Sequence, residues 1–172
     1  MRYGLHTTHC RLWTPCTIRP TWKVNLSYRY GYLSVALNPM TGDVVAAFLP
    51  DMSQESYQAF LDHLHRERGE DILLIRDQAP SHRAKTLKIP TTIELLDLPP
   101  YSPELNPVER FFEELRPLLA NRIFESIEAI EDAITDILRT YWDTPTLVQR
   151  LTAFPWIQEA LCKQNQCQNN KS

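Results

Sequence analysis

The stretch Ile72-Leu-Leu-Ile-Arg-Asp77-Gln-Ala-Pro-Ser-His82 decides how the chain is read. Four consecutive apolar residues, Ile72 to Ile75, have the pattern of a short strand buried on both faces. The strand leads directly into Asp77, and the end of a strand is where an open α/β sheet usually holds its ligands. Gln78 to His82 then form a polar turn. A carboxylate there serves equally well as a turn former, so position alone leaves its role open.

Downstream, Ile93 to Leu98 repeats the buried-strand pattern and stops at Pro99-Pro100. Next comes Leu98-Pro-Pro-Tyr-Ser-Pro-Glu-Leu-Asn-Pro-Val-Glu109. The prolines hold the backbone extended, Asn106 suits a helix N-cap, Pro107 suits the first helical position, and Glu109 stands third. Asn106-x-x-Glu109 also resembles a capping box, which accounts for Glu109 without any ligand. Two helices follow. Val108, Phe111, Phe112, Leu115, Leu118 and Leu119 mark the apolar face of the first, which Pro117 should kink or shorten. Ser126 caps the second, whose face is Ile127, Ile130, Ile134, Ile137, Leu138 and Tyr141.

Upstream, residues 29–37 and Val44 to Leu49 read as two strands joined by Asn38-Pro-Met-Thr-Gly-Asp43, with Pro39 and Gly42 supplying the turn. Ser53 is a plausible N-cap for a helix carrying Tyr57, Phe60, Leu61 and Leu64 to about Arg66, and Gly69 ends it. The order is hairpin, helix, strand, strand, helix, helix, an α/β arrangement of mixed sheet flanked by helices.

The composition, 43% apolar and 23% charged with four glycines in 172 residues, is that of one globular core. No apolar run approaches the roughly 20 residues of a membrane span, and residues 1–20 have no signal-peptide core, so the cytoplasm is the default expectation. The net charge of −3 conceals an asymmetry, because no Asp or Glu precedes Asp43. Arg2, Arg11, Arg19, Lys23 and Arg29 make the first 42 residues basic, while the remainder carries −8. That polarity suits a protein holding a polyanion with one part and metal ions with another, although a solvated basic stretch fits the charges too. The four cysteines, Cys10, Cys16, Cys162 and Cys167, lack zinc-finger spacing and are expected to be reduced. His6, His9, Cys10 and Cys16 form a zinc grouping on paper only.

The motif Asp77-Gln-Ala-Pro-x-His82 taken with Leu98-Pro-Pro-Tyr-Ser-Pro-Glu-Leu-Asn-Pro-x-Glu109 resembles the DDE transposases of the bacterial insertion-sequence branch of the mariner superfamily. Gly4-Leu-His-Thr-Thr8, Trp13-Thr-Pro15, Arg19-Pro20, the Asn38-Pro-x-Thr-Gly42 hairpin and Arg122-x-Phe124-x-Ser126 extend the likeness over about residues 1–142. The resemblance implies a ribonuclease H-like fold. It makes Asp77 and Glu109, with 31 residues between them, the second and third catalytic, metal-binding carboxylates. It further implies a pair of Mg²⁺ ions, with Mn²⁺ as substitute, about 4 Å apart, for phosphodiester cleavage and strand transfer at element ends.

Around that pair, Gln78, His82, Asn106 and Glu113 are candidates for supporting the two carboxylates, Glu113 as a reserve ligand one turn beyond Glu109. Gln78 replaces the family's usual Asn with a longer stem, which is expected to weaken positioning without abolishing it. Arg11, Arg19, Lys23 and Arg29 are candidates for DNA phosphate contact. Trp13 and Trp22 are possible base-stacking partners, with core packing the expected role.

Relatives carry the first catalytic Asp on an opening, central strand just before the point where Met1-Arg-Tyr-Gly-Leu5 begins. The expectation is an incomplete catalytic domain over residues 1–145 that lacks that central strand, followed by a C-terminal helix and polar tail over 146–172. A misassigned start, an upstream frame joined by frameshifting and a decayed gene all fit. Such a chain is expected to be inactive alone and to form a homodimer or pair with full-length transposase. The alternative readings are a non-catalytic remnant that restrains the complete enzyme and a ribonuclease H-like nuclease acting on other nucleic acid.

Overall fold

The computed structural model describes residues 1–159 apart from 9, 10, 12, 20, 22, 80, 81 and 83–85. Strands β1 (Arg2–Gly4), β2 (Tyr30–Leu37) and β3 (Val44–Leu49) form an antiparallel sheet in the order β1-β2-β3. Helix α1 (Gln54–Arg68) leads to β4 (Ile72–Arg76) and β5 (Ile93–Asp97), a parallel pair. A short 3₁₀ turn at Pro103–Leu105 precedes helices α2 (Pro107–Leu119), α3 (Ile127–Asp143) and α4 (Pro145–Thr152).

Alternation along β3 explains the layering. Val44, Ala46 and Phe48 face one way, into a core with Leu33 of β2 and Phe111, Leu115, Ile130, Ile134 and Leu138 of α2 and α3. Val45, Ala47 and Leu49 face the other way, into a second core with Tyr57, Phe60, Leu61 and Leu64 of α1. The three-stranded sheet is therefore covered on both faces. Burying a side chain as completely as Phe111, which is 0% exposed, contributes roughly 1.5–3 kcal/mol.

The helix ends follow their local signals. Ser53 accepts from the Ser56 N–H at 3.2 Å to start α1, and Gly69, at φ 63°, closes it through its N–H to the His65 carbonyl at 3.0 Å. Ser126 likewise accepts from the Ala129 N–H at 3.2 Å. Pro117 stands near the end of α2, which stops at Leu119. Helix α4 inserts Val148, 0% exposed, into the core built by α2 and α3, so the helix after residue 145 belongs to the same packing unit.

Two points differ from the sequence pattern. The run Ile72 to Ile75 is not buried on both faces: Ile72 and Leu74 pack beneath α1, whereas Ile75 is 42% exposed and its partner across the ladder, Leu96, is 48% exposed. Residues 2–4, unassigned by pattern, form β1, where Tyr3 lies opposite Gly31 and Met1 exchanges backbone hydrogen bonds with Leu33. Among the described residues no strand joins the antiparallel and parallel sheets, and α1 spans both.

Candidate functional site

The C-terminal ends of β4 and β5 open into a cavity of about 430 Å³. Asp77, Gln78, Asn106 and Glu109 line it with the Leu98–Pro103 stretch. Asp77 arrives one residue after β4 ends, and Glu109 on the first turn of α2. Arg76 and Asp97, the last rung of the β4–β5 ladder, meet at 2.7 Å immediately before Asp77 and Leu98.

The Asp77 carboxylate is held through Oδ1. His82 Nδ1 lies 2.6 Å away, and the Ala79 N–H donates to the same oxygen at 3.1 Å. The His82 contact, aided by Ala79 and the charges of His82 and Arg76, keeps Asp77 below the usual carboxylate range against partial burial. Both contacts fall on Oδ1. Glu109 has Arg116 Nη2 at 3.5 Å from Oε2. Burial lowers the Met1 α-ammonium to about 6, while Glu109 and Asp77 oppose that shift, so one point of the fold feels both carboxylates.

Asn106 caps α2 by accepting from the Val108 N–H at 3.1 Å. Its own N–H donates to the Pro103 carbonyl at 3.0 Å, the bond a reciprocal capping box would reserve for Glu109. Glu109 is thus left with its cavity position and Arg116. Gln78 donates to the Leu98 carbonyl at 2.9 Å, tying the ends of the two parallel strands together. Tyr101, fully exposed with φ 58°, stands on the rim, in a backbone region that costs a bulky residue about 1–3 kcal/mol.

Glu113 is not among the cavity's lining residues; it pairs with Arg110 at 2.9 Å. Arg11, Arg19, Lys23 and Arg29 are all exposed. Trp13 is fully exposed, which corrects the expectation of core packing: the described residues among 11–19 form no strand or helix that could carry its ring inward. Trp22, His9, Cys10, Cys162, Cys167 and the polar tail from 160 lie outside the described residues. Of the zinc grouping, His6 lies against Tyr28 and Cys16 is exposed. Among the described residues, no three His, Cys, Asp or Glu side chains gather as a metal site.

Sequence reading missed the residues behind Asp77. Tyr57 looked like one more residue of an apolar helical face, yet its ring lies 4.1 Å from His82 between centroids. Arg76 passed as the end of a strand, and its pairing with Asp97 needed the parallel register.

Residues 22–131 match the family model described as DDE superfamily endonuclease, and this span covers both cavity carboxylates and well over half of the chain. The chain belongs to the DDE superfamily endonucleases. Among curated proteins, the uncharacterized protein y4pE/y4sA of Sinorhizobium fredii (strain NBRC 101917 / NGR234) is 38% identical over 104 residues, covering 59% of this chain and 77% of that protein. Among solved structures, the Mos1 transposase paired-end complex with left transposon end aligns with a TM-score of 0.62 at 20% identity, covering 87% of this chain and 50% of that one. The mariner Mos1 paired end complex with Mg gives 0.60 at 20% identity, with the same coverage. This DDE endonuclease chain thus spans about half the length of the solved chains it matches and has their ribonuclease H-like fold.

Proposed function

We propose that this chain is the catalytic part of a mariner-like transposase and that Asp77 and Glu109 hold a divalent cation for phosphodiester cleavage and strand transfer in DNA. The single observation that carries the reading is their meeting on one cavity at the ends of β4 and β5, within a DDE endonuclease family match. Carboxylate oxygens are the hard ligands that Mg²⁺ and Mn²⁺ prefer, so the donor set fits such an ion. When bound, the metal would activate an attacking oxygen and stabilise a leaving one. His82 and the Ala79 amide hold Asp77, and Asn106 fixes the start of the helix that presents Glu109.

Two carboxylates are few for a pair of ions, and we propose that a third oxygen ligand comes from outside the described acids of this chain. The exposed Arg11, Arg19, Lys23 and Arg29, in a stretch with no acidic residue before Asp43, support phosphate contact. A second reading, a non-catalytic chain that pairs with a complete transposase, rests on the same shortage of ligands. Nicking of DNA by the purified chain in Mg²⁺ or Mn²⁺ would rule it out.

Calorimetric titration of Mn²⁺ into the native chain, Asp77→Asn and Glu109→Gln tests the principal reading. Saturable binding by the native chain, weakened at least about ten-fold by each substitution, is expected. Equal affinity in all three proteins overturns it, as does DNA cleavage that survives Asp77→Asn in a cutting-competent protein.

A further inference from the structure

Helix α1 grips the segment between β4 and β5 with one row of side chains. Gln54 Nε2 donates to Thr86 Oγ1. Gln58 makes a two-point contact, donating to the Lys88 carbonyl and accepting from the Lys88 N–H, both at 2.8 Å. Three turns from the first of these, His65 Nδ1 lies 2.7 Å from Thr92 Oγ1. Tyr57 belongs to the same row, because residues spaced three and four apart share a helix face. Its ring, 6% exposed, lies beneath the His82 imidazole with 32° between the planes.

One of these contacts leads to the Asp77 carboxylate, because the His82 ring that Tyr57 packs against has its Nδ1 2.6 Å from Asp77 Oδ1. An imidazole tied only to a carboxylate keeps freedom to swing, and packing it on a buried aromatic ring removes that freedom. A glutamine amide bonded to both the N–H and the C=O of one residue, Lys88, fixes the backbone there as a neighbouring strand would. His82, Thr86, Lys88 and Thr92 are thereby anchored to a helix that is itself locked into the core by Phe60, Leu61 and Leu64. Metal ligands held this way keep their geometry before the ion arrives.

We propose that Gln54, Tyr57 and Gln58 are positioning residues for Asp77, acting through His82 and the loop backbone, and that they set the affinity of Asp77 for a divalent cation. The metal half of this inference rests on the function proposed above; the loop half does not. The Tyr57 hydroxyl is buried and interacts with the Arg76 side chain, whereas its ring packs on His82, so Tyr57→Phe separates the two contributions.

The test compares Tyr57→Phe, Tyr57→Leu and Gln58→Ala in the whole chain. Two measurements are made on each: Mn²⁺ affinity, and amide exchange at Ala79, whose N–H reports the Asp77 carboxylate. Tyr57→Phe should match the native chain in both. Tyr57→Leu and Gln58→Ala should weaken Mn²⁺ binding about ten- to a hundred-fold and speed Ala79 exchange. Gln58 is only partly buried, so its variant tests the idea even if Tyr57→Leu fails to fold. Native exchange and native affinity in folded Gln58→Ala would overturn the inference. Should the native chain take up no Mn²⁺, the metal reading fails, and the loop clamp stands or falls on the exchange measurement alone.

Discussion

Arg76 Nε meets Asp97 Oδ1 at 2.7 Å across the last rung of the parallel ladder, immediately before the chain turns to Asp77. The Arg76 side chain is only 13% exposed, and its Nη1 has no hydrogen bond of ordinary geometry among the described residues. Removing Asp97 would leave a largely buried guanidinium without its main partner. We expect Asp97→Ala to destabilise the fold by about 1–3 kcal/mol and Asp97→Asn, which keeps an acceptor, by less. Chemical denaturation of the two variants checks this, and equal losses would count against the pairing.

Asp43 supplies the pH dependence that is easiest to isolate. Its carboxylate accepts from the Thr41 hydroxyl at 2.7 Å and from Arg68 at 3.0 Å. The Thr41 hydrogen bond, with help from Arg68 and against some desolvation, holds it below the ordinary 3.8. A carboxylate depressed on folding contributes stability that is present above its unfolded value and lost as pH falls through the folded one. Asp43→Asn should therefore flatten the stability profile below about pH 4, and at neutral pH cost about 0.2–1 kcal/mol, as partly exposed pairs do. An acid limb unchanged in the variant would contradict this.

Gly42 allows the β2–β3 hairpin to pass close to α4. It adopts φ 81°, and a Cβ there would collide with the Pro145 carbonyl at the start of that helix. Gly42→Ala should cost about 1–3 kcal/mol through backbone strain, with the collision adding to it. The loss should appear as a lowered melting temperature and faster amide exchange along α4. An unaltered melting temperature would show that the hairpin and helix can part without penalty.

Much of this was legible in the sequence because the signals are local. Ser53, Gly69, Asn106 and Ser126 act on backbone groups within a few residues of themselves, and each works as a cap in the folded chain. Phe111, Phe112 and Leu115 repeat at helical spacing and are buried. Asp77 and Glu109 stood out through motif, and both line the cavity. Trp13 illustrates the limit: an aromatic residue favours burial on average, but whether it finds a core depends on elements far away in the chain.

By itself, the sequence determined where β2 to β5 and α1 to α3 lie, which faces of the helices are apolar, and which two carboxylates stand out by motif. Only the tertiary structure decided that Ile75 and Leu96 stay exposed, that the strands divide into two sheets, and that Tyr57 and Gln58 brace the segment carrying Asp77. Periodicity and caps are set by bonds and contacts a few residues long. The cover over a strand face and the support behind a carboxylate come from residues about 20 to 30 positions away, which meet only when α1 packs across both sheets.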